Sequence, residues 1–142
     1  KQMAKDLSLE NRVIFTGHLD HPFPALKALD LFALLSTAHE GVSQAILQAA
    51  FLGKPLIATV TGGLGEVCID RQTGLSVDPF SPEQVARAVL ELKNNPDLKF
   101  KWGDKARSLV MERFIWQTTL DQMERVFMTL WGEKVSEKKT IS

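Results

Sequence analysis

Two strand-sized apolar runs flanking one short helix limit the fold more than any other feature. Leu31-Phe32-Ala33-Leu34-Leu35 is almost unbroken in apolar character, and so is Leu56-Ile57-Ala58 ahead of Thr59. Runs of this kind suit strands covered on both faces, as in parallel sheets. Between them a short apolar helix is expected over residues 44–52. Ser43 is placed to cap its first turn. Gly53 stands where a left-handed C-terminal cap belongs, and Pro55 forbids continuation. A strand, a helix and a second strand in this order call for parallel pairing through a right-handed crossover.

The remaining segments extend that unit. Residues 1–8 read as the tail of a helix that ends near Ser8–Asn11, and Val13-Ile14-Phe15-Thr16 as a strand closed by Gly17. Pro22 and Pro24 introduce a short helix with Leu26 and Leu29 facing inward. A short helix is expected near residues 65–70, and Gly74-Leu75-Ser76-Val77 reads as a fourth strand. Ser81-Pro82-Glu83-Gln84 supplies a cap, a proline at the first helical position and a Gln three residues after the cap. Asn94-Asn95-Pro96 ends that helix. A further helix carries Ala106, Leu109, Val110 and Phe114, and a last one carries Trp116, Leu120, Met123, Phe127 and Leu130. Alternating strands and helices predict a three-layer α/β/α, Rossmann-like domain over residues 1–131, followed by a polar, frayed tail over 132–142.

Composition narrows the partners. The chain has 142 residues, enough for one domain with a core of its own, and 17 basic side chains balance 17 acidic ones. Net charge therefore points to neither nucleic acid nor a membrane surface. The balance tips acidic up to residue 98 and basic after it, a drift that charges scattered on exposed helices explain. Cys68 is the single cysteine. It excludes an intramolecular disulfide, suits a reducing cytoplasm, and between Val67 and Ile69 reads as a packed thiol. No apolar run approaches the length of a membrane span.

In a doubly wound sheet, ligands bind beyond the carboxyl ends of the strands. Three loops are expected there: Gly17–Asp20, Ser36–Ser43 and Val60–Gly65. The second leads into the helix at 44–52, whose first N–H groups lack acceptors and favour an anion, usually a phosphate. Glu40 beside it is repelled by phosphate and suits hydroxyl groups instead. A sugar phosphate meets both demands. Plainer alternatives stand beside these readings: a surface Glu favoured by the helix dipole, a solvated Gln48, an exposed loop His18 and a simple turn at Gly62-Gly63. His18, His21 and His39 do not share a helical ligand spacing, and no Asp-any-Asp sequence occurs, so no metal site is expected.

The same residues carry a family resemblance. Glu40-Gly41, the helix ending Ala49-Ala50-Phe51-Leu52-Gly53-Lys54-Pro55, then Ile57-Ala58-Thr59, Gly62-Gly63, Glu66 and Thr73-Gly74-Leu75 resemble glycosyltransferase family 4. The match is to the C-terminal, donor-binding domain of these GT-B enzymes and runs from about Arg12 through Trp116. It implies most of the C-terminal half of a GT-B fold, and a retaining transfer of sugar from a nucleotide sugar to a hydroxyl acceptor in polysaccharide or glycolipid synthesis. It also implies that Glu40 meets the donor sugar as the catalytic candidate. The N–H groups of Val42, Ser43 and Gln44 would hold sugar hydroxyls and phosphate, Gly41 would belong to the same nucleotide-sugar-binding loop, and His18 and Leu19 would lie near the base. At Gln48 the family places a Glu on the ribose hydroxyls; an amide oxygen accepts there without the strength of an ionised group.

By the same resemblance, the acceptor-binding domain and the strand that leads to pyrophosphate-neutralising basic residues would precede this chain, which alone would be inactive. The nucleotide sugar is a substrate, so no cofactor is expected. The acceptor, a glycan or lipid-linked glycan, would bind through the preceding domain, and any membrane contact would come through the intact enzyme, at the cytoplasmic face. Three other functions fit the same residues: a non-catalytic nucleotide-binding module with Gln48 marking a decayed site, a GT-B nucleotide-sugar epimerase, and a structural interaction domain.

Overall fold

A computed structural model describes the backbone of residues 1–140 and the side chains of residues 1–131. Three parallel strands form one sheet in the order of the chain: β1 (Phe32–Leu34), β2 (Leu56–Thr59) and β3 (Gly74–Val77). Register pairs Leu34 with Ala58, and Ala58 with Ser76. Among the described residues six helices accompany them: α1 (Gln2–Asp6), α2 (Phe23–Ala28), α3 (Gln44–Phe51), α4 (Pro82–Asn94), α5 (Pro96–Arg113) and α6 (Trp116–Thr140).

The central strand decides the layering. All four residues of β2 are buried, and successive side chains point to opposite faces. Leu56 and Ala58 pack with Ile46, Ala49 and Ala50 of α3 and with Ala106 and Val110 of α5. Ile57 packs with Leu75 and Val77 of β3, Ala88 and Leu92 of α4, and Trp102 of α5. Two apolar cores on the two faces of one sheet make the expected α/β/α sandwich. Among the described residues no helix is long and apolar enough to cross a membrane.

Helix α3 ends as its sequence requires. Gly53 adopts φ +70°, the left-handed conformation, and its N–H donates to the Ala50 carbonyl at 2.8 Å. Gly103 of α5 lies directly on the Gly53 carbonyl, so a Cβ at Gly103 would overlap that oxygen. The α3–α5 contact therefore depends on a missing side chain. Asn95 separates α4 from α5, and Pro96 occupies the first turn of α5, as the Asn-Asn-Pro break predicts.

Several expectations are corrected. Val13–Thr16 forms no strand: no ladder reaches it, and Ile14 is 87% exposed. Its β-branched and aromatic residues fit a pleated surface, but a strand needs a partner, and among the described residues none pairs with it. β1 is shorter than the run Leu31–Leu35 and is covered mainly on one face. Phe32 and Leu34 pack toward α3, whereas Ala33 and Leu35 are exposed at the sheet edge. Leu29 is likewise exposed, although Leu26 packs inward.

The helix expected near 65–70 is instead a 3-10 turn at Gly62–Glu66. Beyond it the Thr73 hydroxyl accepts from the Ile69 N–H at 2.8 Å and donates to the Val67 carbonyl at 2.6 Å. That side chain takes the place of a helical ladder. Ser43 and Ser81 both occupy cap positions, yet neither side chain makes a capping hydrogen bond. Gln84 pairs with Asp78 instead, accepting from its N–H and donating to its carboxylate. The backbone of α6 continues to Thr140, its large apolar side chains from Trp116 to Trp131 are exposed, and the last two residues of the tail read as frayed lie outside the described residues.

Replacing Gly103 by Ala must separate α3 from α5 or distort one of them. Overpacking of this kind costs about 1–3 kcal/mol, read as a lower urea midpoint at unchanged slope. An unchanged midpoint would show that the two helices part without cost.

Candidate functional site

The carboxyl ends of β1 and β2 open into the loops that precede α3 and the 3-10 turn. These two loops are joined by backbone. The Gly63 N–H donates to the Glu40 carbonyl at 2.8 Å. Gly62 has φ +58°, and a Cβ there would overlap the Glu40 backbone; one at Gly63 would stand 2.8 Å from the Val42 nitrogen. Only glycine permits this approach, so Gly62-Gly63 is more than a loose turn.

Glu40 is half-buried. Its Oε1 accepts from the Ser36 hydroxyl at 2.6 Å, and the Ser36 carbonyl accepts from the Thr59 hydroxyl at 2.7 Å. Ser43 has extended backbone (φ −68°, ψ 133°) at the start of α3. The N–H groups of Val42, Ser43 and Gln44 have no acceptor among the described residues. Partial positive charge at that helix end thus lies next in sequence to a carboxylate held by its own hydroxyl donor. Gln48 is half-buried one helical turn beyond Gln44, on the same side of α3.

Glu40, Gly41, Val42, Ser43 and Gln44 are therefore brought together with the glycine loop, as the fold predicts. His18 and Leu19 are not joined to them by any hydrogen bond. His18 faces solvent, with its Nε2 3.5 Å from Asp20 Oδ1, and Leu19 is exposed. They follow the segment that forms no strand, so no ladder fixes their loop. Ser36 and Thr59 escape a reading of the sequence. The signal available was a hydroxyl residue four positions before Glu40 and a Thr ending an otherwise apolar strand.

On the α4 side of the same strand ends lies a cavity of about 230 Å³, lined by Leu35, Thr37, Thr59, Phe80 and Val85 among others. Its walls are mostly apolar, unlike the loop cluster around Glu40. Among the described residues no three His, Cys, Asp or Glu side chains stand close enough to hold a metal ion.

A model of the family described as "Glycosyl transferases group 1" matches residues 1–109. The chain belongs to that family. Over 124 residues it is 31% identical to an uncharacterized glycosyltransferase of Methanocaldococcus jannaschii, covering 86% of this chain and 32% of that protein. It is 33% identical over 129 residues to glycogen synthase of Mycobacterium tuberculosis, covering 87% of this chain and 31% of the relative. Among solved structures, sucrose-phosphate synthase of Thermosynechococcus elongatus superposes with TM-score 0.82 at 27% identity, over 93% of this chain and 33% of that one. HepE of Anabaena, in complex with UDP-glucose, gives 0.82 at 27% identity over 90% and 35%. The chain thus spans about a third of the length of the relatives it matches, and its fold is that of GT-B glycosyltransferases.

Cys68 takes no part in this site. Burial pushes its thiol from 9.0 up to about 12, and its Sγ donates to the Leu75 carbonyl at 3.5 Å. A thiol held neutral by folding stabilises the native state below the unfolded pKa, and that contribution fades as pH rises from about 9 through about 12. Iodoacetamide at pH 8.5 should leave Cys68 intact in the folded chain and alkylate it in urea. Rapid labelling without urea would show that the thiol is accessible.

Proposed function

We propose that this chain is the donor-binding domain of a retaining glycosyltransferase, which moves a sugar from a nucleotide sugar to a hydroxyl acceptor. The observation that carries the reading is the pairing of a half-buried carboxylate with free helix-end N–H groups at adjacent positions. A carboxylate accepts from sugar hydroxyls, and the N–H groups of Val42, Ser43 and Gln44 hold phosphate oxygens. The UDP-glucose bound to HepE supports the same ligand class.

In this reading Glu40 contacts the donor sugar and Gln48 the ribose. The acceptor, a growing glycan or a lipid-linked one, binds through the rest of a longer protein. Catalysis comes from positioning and from stabilising the departing diphosphate. Binding needs no metal, because helix-end amides suffice for phosphate. The lone buried thiol suits a reducing compartment, and we place the protein in the cytoplasm or at the cytoplasmic face of a membrane. Gln48 favours one second reading, a nucleotide-binding module that has lost transfer.

The test uses the full-length protein with UDP-, GDP- and ADP-sugars, following turnover, and calorimetry of the bare nucleotides with and without EDTA. Glu40→Ala should lower turnover. Gln48→Glu should tighten nucleotide binding by about 1 kcal/mol, roughly fivefold, the difference between a charged and a neutral acceptor. EDTA should leave affinity within about twofold, well under the 1.4 kcal/mol of a tenfold change. Unchanged turnover in Glu40→Ala would remove the sugar assignment. Unchanged or weaker affinity in Gln48→Glu would take Gln48 off the ribose, and nucleotide binding without turnover of any donor would favour the second reading.

A further inference from the structure

We infer that Ser36 is a positioning residue for Glu40, and that the buried Thr59 hydroxyl holds Ser36 in place. The inference rests on the assignment of Glu40 to the donor sugar and adds the groups that aim it.

Register brings the two hydroxyl residues together. Leu34 of β1 pairs with Ala58 of β2, so the chain leaving β1 passes beside Thr59, the last residue of β2. Thr59 is only 2% exposed, and its hydroxyl spends its one proton on the Ser36 carbonyl, at 2.7 Å. That bond fixes the backbone of a residue outside the ladder. Ser36 then gives its own proton to Glu40 Oε1, at 2.6 Å.

A hydroxyl donating to a carboxylate makes a short, charge-assisted bond. The other end of Glu40 is held as well, through its carbonyl, by the Gly63 N–H. A glutamate side chain has several rotatable bonds, and leaving it free spreads the carboxylate over many orientations. Tied at its backbone and at Oε1, Glu40 presents its second oxygen, Oε2, in one direction. Thr59, Ser36 and Glu40 thus form a relay from the buried end of the central strand to the carboxylate. It moves no proton; it sets an orientation before the donor arrives.

The test is a mutant cycle in the full-length protein, using whichever donor of the UDP-, GDP- and ADP-sugar panel gives the highest turnover. Ser36→Ala should lower kcat about tenfold with donor KM within about twofold, as expected for an interaction that matters most in the transition state. Ser36→Thr, which keeps the hydroxyl, should retain most of kcat. Thr59→Val, which keeps the shape and removes the donor, should lower kcat in the same direction but less. In the Glu40→Ala background Ser36→Ala should have no further effect. Thermal midpoints of all variants identify any that fail to fold. Equal losses from Ser36→Ala with and without Glu40, or no recovery in folded Ser36→Thr, would overturn the positioning role. An unaffected Glu40→Ala would instead remove the sugar assignment beneath it, an outcome read separately from the Ser36 variants.

Discussion

Burial of the central strand on both faces is the constraint from which the rest of the domain follows. Leu56 and Ala58 close one core with α3 and α5, and Ile57 closes the other with α4 and α5. Burial of such side chains is worth about 25 cal/mol per Å² of apolar area, and a strand with no solvated face can be satisfied only by a layer on each side. The same strand fixes where the candidate site sits. Its last residue, Thr59, holds the loop leaving β1, and the residues after it supply the glycines that meet Glu40 and Val42. Packing and site are consecutive along a single segment.

The candidate site is assembled through backbone more than through side chains. Gly62 and Gly63 lie against residues 40–42, and the Gly63 N–H reaches the Glu40 carbonyl. What remains for a ligand is a set of free N–H groups at the start of α3 and one carboxylate held by Ser36. Such groups reorganise little on binding, which is what electrostatic stabilisation of a developing negative charge requires.

The apolar runs, Gly53 with Pro55, and the Asn-Asn-Pro break made the sandwich and the end of α3 legible, because each signal acts within a few residues. Val13–Thr16 misled because strand propensity is local while a ladder needs a neighbour. The caps at Ser43 and Ser81 were placed correctly, but a sequence cannot say whether a hydroxyl finds its amide. Gly62-Gly63 looked like a turn, since the backbone they approach lies more than twenty residues earlier. Ser36 and Thr59 depend on the register of two strands, which no local pattern encodes. His18 and Leu19 entered through family resemblance, and the structure leaves them outside the hydrogen-bonded cluster.

The central claim is that the start of α3 and the glycine loop facing it receive a nucleoside diphosphate. Amide chemical shifts of the ¹⁵N-labelled chain, titrated with UDP, GDP and ADP, test it most directly. Binding at this site gives saturable shifts for at least one nucleotide, centred on residues 40–48 and 62–65. Saturable shifts confined to the apolar cavity around Phe80 and Val85, or no shifts with any of the three, would contradict it.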